Sequence, residues 1–181
     1  MINMNLEGSS LRKGETLIDT ADTLNAMNPD LVIIRHGLSG SIEEISSRLK
    51  CPIISAGEGT EEHPTQALLD LYTIRSELAA RGRTLDTLRV AMVGDLKFGR
   101  TVHSLSRLLQ LFQGVKVNLV SPPELKMPAE IVDEFQSGGH DVLETDSLEL
   151  GIADVDIVYS TRLQEERFTT RAEADAYRGR F

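Results

Sequence analysis

Short runs of apolar residues recur along the chain at a length typical of β-strands. They occupy residues 31–34, 53–54, 90–93, 115–120 and 157–159. Runs that are nearly continuously apolar, rather than alternating, are typical of strands whose two faces are both buried. The pattern therefore predicts buried strands, with other elements covering each face of the sheet that they form.

Segments between these runs repeat their apolar residues with a helical period. The clearest covers residues 64–78, where Pro64 suits the first helical position and His63 the cap before it. A second helix is predicted over residues 101–112. The apolar residues that share one face are Ala67, Leu71, Ile74 and Leu78 in the first helix, and Val102, Leu105, Leu109 and Phe112 in the second.

A shorter helix is predicted between the first two strands, because Ser41 and Glu44 have the spacing of a capping box. Helices then alternate with strands throughout, which predicts parallel sheets with right-handed crossovers. The polar segment 79–84, with its glycine, interrupts the alternation. We therefore predict an α/β protein with two doubly wound parallel-sheet units, residues 1–80 and 81–181, joined by the long helix.

Composition narrows the possible functions. A net charge of −9 argues against broad attraction to nucleic acids or anionic membranes, so any anion site must be local. No run approaches the roughly 20 apolar residues of a membrane span, and the first residues do not resemble a signal peptide, so a cytoplasmic location is expected. The single cysteine, Cys51, excludes an internal disulfide and is expected to be a buried, small apolar residue.

Cationic side chains and a histidine follow the predicted strands. Arg35 and His36 follow the first strand, His63 ends the glycine-bearing loop after the second, and Arg162 follows the last. The carboxyl ends of parallel strands are where such sheets bind ligands. Arginine recognises phosphate and carboxylate groups, so the pattern favours a small polyanionic substrate, although structural ion pairs would give the same pattern.

The glycine-bearing segments do not match nucleotide-binding motifs. Residues 94–99 read GDLKFG and lack the spacing of a dinucleotide fingerprint, and neither they nor residues 57–59 form a phosphate loop. Each does place flexible backbone before a predicted helix, whose N-terminus attracts anions.

Four motifs resemble one family in order and spacing. They are SSLRKGETL at residues 9–17, HPTQALLD at 63–70, GDLKFGRTVHSL at 94–105 and YSTRLQEERF at 159–168. Together they resemble the catalytic subunits of aspartate carbamoyltransferases, within the aspartate/ornithine carbamoyltransferase superfamily. The ornithine branch shares the histidine motif in altered form but not the pattern of residues 94–105, which favours aspartate as the acceptor.

The resemblance implies transfer of a carbamoyl group from carbamoyl phosphate to the amine of L-aspartate, an early step of pyrimidine (UMP) biosynthesis, with no metal or organic cofactor. His63 would donate to the carbonyl oxygen, Arg35 would neutralise charge on the phosphate or carbonyl, and Gln66 would hold the carbamoyl end. His63 and Gln66 share a helix face at i, i+3. The alternative roles are a helix cap for His63 and an exposed surface residue for Gln66.

The resemblance also implies an aspartate site. Arg100 and Arg162 match the arginines that bind the two carboxylates, and Gln164 matches a helper on the same ligand. The alternative for the two arginines is surface or interdomain ion pairing.

Lys13 matches a catalytic lysine that reaches both substrates in the active site of a neighbouring subunit, so the resemblance implies a homotrimer with shared sites. A regulatory chain is a possible further partner. Ser9 or Ser10 would bind phosphate, and the sequence does not choose between them. The alternative for Lys13 is a solvated turn.

Other residues in these segments are expected to be structural. His103 should pack or hydrogen bond inside its helix, while Asp95 and Lys97 should brace the loop that presents Arg100. His140, which lies in no motif, is expected to be exposed.

The family extends beyond both ends of this chain, so the chain resembles a central fragment. Its first residues, 2–5, suggest a strand that has lost its partners. The missing segments include most of the phosphate cradle, so the isolated chain is expected to have little or no activity. The alternatives are a non-enzymatic relic or assembly partner with the same fold, and an ordinary doubly wound small-ligand binder.

Overall fold

The structure is a computed structural model that describes residues 15–59, 62–177 and 179. The chain divides into two compact units, Met1–Gly59 and Thr60–Phe181. The strand suggested for residues 2–5 lies outside the described residues, as do Ser9, Ser10 and Lys13. Within the described parts of the chain, no helix is long and apolar enough to cross a membrane.

The first unit alternates helices with strands. Its elements are α1 (Leu17–Ala26), β1 (Val32–His36), α2 (Ser41–Ser46) and β2 (Ile53–Glu58). The two strands pair in parallel, as predicted. The sequence analysis did not identify α1, which begins with a capping box. Asp19 N–H donates to Thr16 Oγ1 over 3.1 Å, and Thr16 N–H donates to the Asp19 carboxylate over 2.9 Å.

The predicted capping box at the start of α2 is wrong. Gly40, with φ at 81°, occupies the cap, and the Ser41 hydroxyl donates back to Leu38 O over 2.6 Å. The Glu58 carboxylate accepts from Ile42 N–H over 2.8 Å, and the same Glu58 oxygen lies 3.0 Å from Ser41 Oγ. A carboxylate at the end of β2 therefore satisfies the helix N-terminus, which favours negative charge.

Both strands of this unit run further than predicted. Arg35 and His36 lie inside β1 rather than after it, because His36 pairs with Glu58 across a register shift. Residues 57 and 58 likewise belong to β2, and Gly59 N–H donates to His36 O over 3.1 Å. Cys51 is half-buried rather than buried.

The second unit contains a four-stranded parallel sheet with the order β5-β4-β3-β6. The chain moves outward from β3 through β4 to β5, and β6 then returns to the other side of β3. This is the predicted doubly wound arrangement. The elements are α3 (Pro64–Ala79), β3 (Arg89–Val93), α4 (Arg100–Leu109), β4 (Lys116–Val120), α5 (Ala129–Ser137), β5 (Asp141–Thr145), α6 (Leu148–Ile152), β6 (Ile157–Ser160) and α7 (Arg171–Asp175).

One face of this sheet carries the main core. Helices α3, α4 and α5 bury their apolar sides there, as the periodicity of α3 and α4 predicts. The core residues include Ala67, Ile74, Leu78, Met92, Val102, Leu105, Leu109, Val117, Ile131 and Phe135.

The second face is covered only at its centre. The short helix α6 contacts β3, β4 and β5. It packs closely on β4 at Gly151, because a Cβ atom at that position would lie 2.1 Å from Val120 Cγ2. On the outer strands, Leu143 and Val158 are 40% and 53% exposed. Within the described residues, the second face is therefore covered at its centre, as predicted, while its outer strands are partly exposed.

Two local predictions in this unit need correction. Helix α4 begins one residue early and ends at Leu109, because the chain then turns through Gly114, with φ at 63°, into β4. His140 is only 8% exposed, and its ring meets that of Phe135 edge-on at 5.6 Å. By contrast, His103 is buried inside α4, as predicted, with Nε2 2.7 Å from Leu96 O.

The domain boundary at residues 80 and 81 stays a prediction. The compact units divide the chain between residues 59 and 60, and α3 belongs to the second unit, where it packs against α4.

Candidate functional site

Strands β3 and β6 are parallel neighbours in the sheet, and the order in which the chain adds strands reverses between them, since β4 and β5 lie on one side of β3 and β6 on the other. Val93 and Ser160, at their carboxyl ends, are register partners. In open parallel sheets, this reversal leaves a crevice beyond the strand ends where ligands bind. The segments that leave the two strands carry Arg100, Arg162 and Gln164, so three of the predicted site residues follow this switch point.

Gly94 allows the two segments to approach each other closely. Thr161 N–H donates to Val93 O over 2.8 Å, and a Cβ atom on Gly94 would lie 2.3 Å from Thr161 O. Gly94 also has φ at 120°, a conformation that residues with a side chain rarely adopt. A glycine is therefore required for the two segments to lie this close.

A buried carboxylate ties the two segments together. Asp95 is 1% exposed. Its Oδ1 accepts from Phe98 N–H over 3.0 Å, and its Oδ2 accepts from Gln164 N–H over 3.1 Å. The expectation that Asp95 braces the loop before Arg100 is confirmed. The second bond, to the segment that carries Arg162 and Gln164, was not predicted, because it joins residues that are distant in sequence.

The bracing role expected of Lys97 stays a prediction. The Lys97 ammonium lies 5.2 Å from the centroid of the Phe98 ring, a cation–π contact. The Phe98 ring in turn meets Phe168 edge-on at 6.1 Å.

We expect Asp95→Asn to lower the free energy of unfolding by about 1–3 kcal/mol, because one of the two N–H groups that bond to this buried side chain would face an amide donor instead of a carboxylate oxygen. Urea unfolding of the 181-residue chain measures this change. Asp133→Asn, at an exposed position on α5, is the matched control. Equal unfolding midpoints for the two variants would contradict the role given to Asp95.

Arg162 is paired with a carboxylate in bidentate geometry. Its two terminal nitrogens donate to the two oxygens of Glu166 over 3.0 and 2.6 Å. The hydrogen bond from Arg162 lowers the pKa of Glu166 to about 2, and the same bond raises the pKa of Arg162. The pair shows that this guanidinium can bind a carboxylate by donating from both of its terminal nitrogens. The sequence analysis missed Glu166, although its i, i+4 spacing from Arg162 was a usable signal.

The other predicted residues here are Arg100 and Gln164. Both are half-buried, Arg100 as the first residue of α4. The Gln164 amide lies 3.4 Å from Arg162 O, within its own segment.

His63 stands at the start of α3, at the predicted cap position, but α3 receives no capping hydrogen bond from its side chain. Its backbone N–H donates to Ser104 Oγ over 2.8 Å, and Thr65 Oγ1 lies 3.5 Å from its Nδ1. Glu62 binds both the Ser104 hydroxyl and the Arg107 guanidinium. The start of α3 is thus anchored to α4, an arrangement that the sequence analysis missed.

Gln66 is half-buried rather than an exposed helix residue. Its amide nitrogen donates to Asp70 Oδ1 over 2.9 Å, and Tyr159 Oη donates to Asp70 Oδ2 over 2.8 Å. Asp70 and Tyr159 were not singled out from the sequence.

Two predicted residues remain to be described. Arg35 is an exposed residue of β1 in the first unit, and Lys13 lies outside the described residues. Among the residues that the structure describes, no cluster of histidine, cysteine, aspartate and glutamate side chains could hold a metal ion.

Sequence profiles of one family match nearly the whole chain. The profile "Aspartate/ornithine carbamoyltransferase, carbamoyl-P binding domain" matches residues 1–76, and "Aspartate/ornithine carbamoyltransferase, Asp/Orn binding domain" matches residues 86–178. The chain belongs to the aspartate/ornithine carbamoyltransferase family.

Curated relatives within this carbamoyltransferase family are named aspartate carbamoyltransferase catalytic subunits. That of Cellvibrio japonicus is 55% identical over 175 residues, which cover 97% of this chain and 52% of that relative. That of Saccharophagus degradans is 54% identical with the same coverage. The chain therefore spans about half the length of the curated relatives that it matches.

Solved structures of carbamoyltransferases share the fold. The aspartate transcarbamoylase of Trypanosoma cruzi in complex with carbamoyl phosphate has a TM-score of 0.86 at 40% identity, covering 99% of this chain and 57% of that one. The catalytic subunit of M. jannaschii aspartate transcarbamoylase has a TM-score of 0.81 at 42% identity, covering 97% and 56%. The α/β fold with parallel sheets predicted from the sequence is thus confirmed.

Proposed function

We propose that this chain supplies part of the active site of an aspartate carbamoyltransferase. The reaction transfers the carbamoyl group of carbamoyl phosphate to the amine of L-aspartate and gives N-carbamoyl-L-aspartate and phosphate, early in pyrimidine biosynthesis. The observation that carries the proposal is the buried Asp95, which joins the segments bearing Arg100, Arg162 and Gln164 at the switch point. A T. cruzi relative has been solved with carbamoyl phosphate and aspartate bound, which supports these substrates.

In this proposal, the switch point binds aspartate. Arg100 and Arg162 each take one of the two carboxylates, and Gln164 assists. The bidentate pairing of Arg162 with Glu166 supports this role, because a carboxylate already fits that guanidinium. Two guanidinium groups against two carboxylates would also orient the amine of aspartate for attack.

The start of α3 binds the carbamoyl group in this proposal. His63 donates to the carbonyl oxygen as negative charge grows there, Gln66 holds the carbamoyl end, and Arg35 stabilises the departing phosphate. The amine attacks the carbonyl carbon, the bond from that carbon to the phosphate oxygen breaks, and the departing phosphate takes up the proton that the amine loses. Positioning and electrostatics therefore account for most of the proposed catalysis.

Lys13 remains part of the proposal as a residue that contacts both substrates from a neighbouring subunit. The proposal accordingly includes a homotrimer with shared sites, a possible regulatory chain, and a cytoplasmic location. Either Ser9 or Ser10 would contact phosphate.

A graft tests this function. In the graft, this chain replaces the matching 175 residues of the Cellvibrio japonicus subunit. We expect the graft to form carbamoyl-aspartate at a rate within about tenfold of that subunit, equal to about 1.4 kcal/mol in barrier height. The 181-residue chain alone should form little or none.

The control is a graft that carries His63→Ala, which should lose most of its activity. An inactive wild-type graft that forms the same oligomer as the parent subunit would contradict the proposal and favour a non-enzymatic relic. Full activity of the isolated chain would contradict the prediction that it is incomplete.

A further inference from the structure

A chain of hydrogen bonds, the relay, links three side chains of the second unit: Tyr159, Asp70 and Gln66. It lies beside the proposed carbamoyl site. Tyr159 on β6 donates to one oxygen of Asp70, and the other oxygen of Asp70 accepts from the amide of Gln66. The first bond joins residues 89 positions apart in the chain. The relay therefore depends on how α3 packs beside β6, and each of its bonds has good length.

The chemistry of Asp70 sets the orientation of the Gln66 amide. An ionised carboxylate only accepts hydrogen bonds, so the group that faces it must be the NH₂ of the amide and not its oxygen. The amide oxygen is consequently turned away from Asp70. Gln66 then offers an acceptor to a ligand, which suits the amino group of a carbamoyl compound and would repel a second acceptor.

Tyr159 is held as the donor to Asp70. It is half-buried against the main core. Burial is the largest cause that raises its pKa to about 12, and its bond to Asp70 adds to that rise, while a hydrogen bond with Thr101 opposes it. The hydroxyl thus keeps its proton near neutral pH. The same bond occupies one oxygen of Asp70 and leaves the other for Gln66.

We propose that Asp70 and Tyr159 are positioning residues, which fix the Gln66 amide so that its oxygen accepts from the amino group of carbamoyl phosphate. This inference rests on the function proposed above for Gln66. Neither residue touches substrate in this scheme. Both act through Gln66, so their removal should affect carbamoyl phosphate more than aspartate.

Steady-state kinetics of the graft test the relay. We expect Tyr159→Phe to raise KM for carbamoyl phosphate by about 3–10-fold, the value of one hydrogen bond, and to change KM for aspartate by less than about twofold. Asp70→Asn, which keeps one acceptor oxygen, should be less impaired than Asp70→Ala. Tyr72→Phe is the matched control, because Tyr72 is on α3 but is 72% exposed.

A double-mutant cycle separates positioning from a general structural role. In a Gln66→Ala graft, a further Tyr159→Phe change should have no additional effect on KM for carbamoyl phosphate. If the Tyr159→Phe effect were the same size with and without Gln66, or were absent in both, the inference would be overturned.

Nuclear magnetic resonance of the 181-residue chain provides a test that does not depend on activity. The side-chain amide signals of Gln66 should shift on Tyr159→Phe and on Asp70→Asn but not on Tyr72→Phe. If the graft is inactive, the proposed function fails, and these signals alone then decide whether the relay exists. Unchanged Gln66 signals in all three variants would exclude the relay even if the graft is active.

Discussion

Arg162→Ala in the graft is expected to lower kcat/KM for L-aspartate by about 10²–10³-fold, equal to about 3–4 kcal/mol of lost transition-state stabilisation. The reason is the loss of two charge-assisted hydrogen bonds to one carboxylate, each worth roughly 1.5–3 kcal/mol. Because Arg162 is proposed to bind aspartate only, KM for carbamoyl phosphate should stay close to that of the parent graft. Arg162→Lys keeps the charge but loses the planar fork, so it should be intermediate.

The chain contains a closely matched control for this experiment. Arg81 pairs with Glu77 at the same i, i+4 spacing, and these side chains are 64% and 61% exposed, against 64% and 52% for Arg162 and Glu166. Exposed pairs of this type contribute about 0–1 kcal/mol to stability, so neither substitution should unfold the protein. Similar kinetics for Arg81→Ala and Arg162→Ala would show that Arg162 only forms a surface ion pair. This is the alternative role that the sequence analysis gave to Arg162.

Gly94→Ala should lower the free energy of unfolding of the chain by about 3–5 kcal/mol, through backbone strain combined with overpacking. The new methyl group would lie 2.3 Å from Thr161 O, an atom of the backbone that cannot rotate away. Relief of this contact requires the segments after β3 and β6 to separate, which would also weaken the bond from Gln164 N–H to Asp95. Urea unfolding of the purified variant measures the loss.

Gly139→Ala separates the steric contact from the backbone strain. Gly139 also has a positive φ, at 79°, but a Cβ atom there would meet nothing within 4 Å. Left-handed backbone alone costs about 1–2 kcal/mol, so this variant should be much less destabilised. If both variants lost the same stability, the close approach of the two segments would not be the reason for Gly94.

Much of the architecture was accessible from local patterns. The apolar runs located β3, β4 and β6 within a residue or two, and the periodicity around Ala67, Ile74 and Leu78 gave the correct buried face of α3. The order and spacing of the four motifs were equally informative about the family, because the profiles that match the chain belong to the family that these motifs indicated.

Two errors arose from contacts that the local pattern did not indicate. Ser41 has a capping spacing, yet Glu58 satisfies the start of α2 because β2 brings its carboxylate there. His140 is polar and lies beside glycines, yet it packs on Phe135. For Ser41, a contact between separate elements overrode the local preference; for His140, the turn after α5 folds the ring back onto Phe135, five residues earlier in the chain.

The sequence by itself determined the alternation of helices and strands, the parallel class of the sheets, and the identity of the residues proposed to bind substrate. Only the tertiary structure decided what holds those residues in place. Asp95 reaches Gln164 across 69 positions, and Asp70 reaches Tyr159 across 89. Such pairs form only after strand order and register are set, and a short-range pattern of apolar and polar residues carries no information about which distant side chains will then meet.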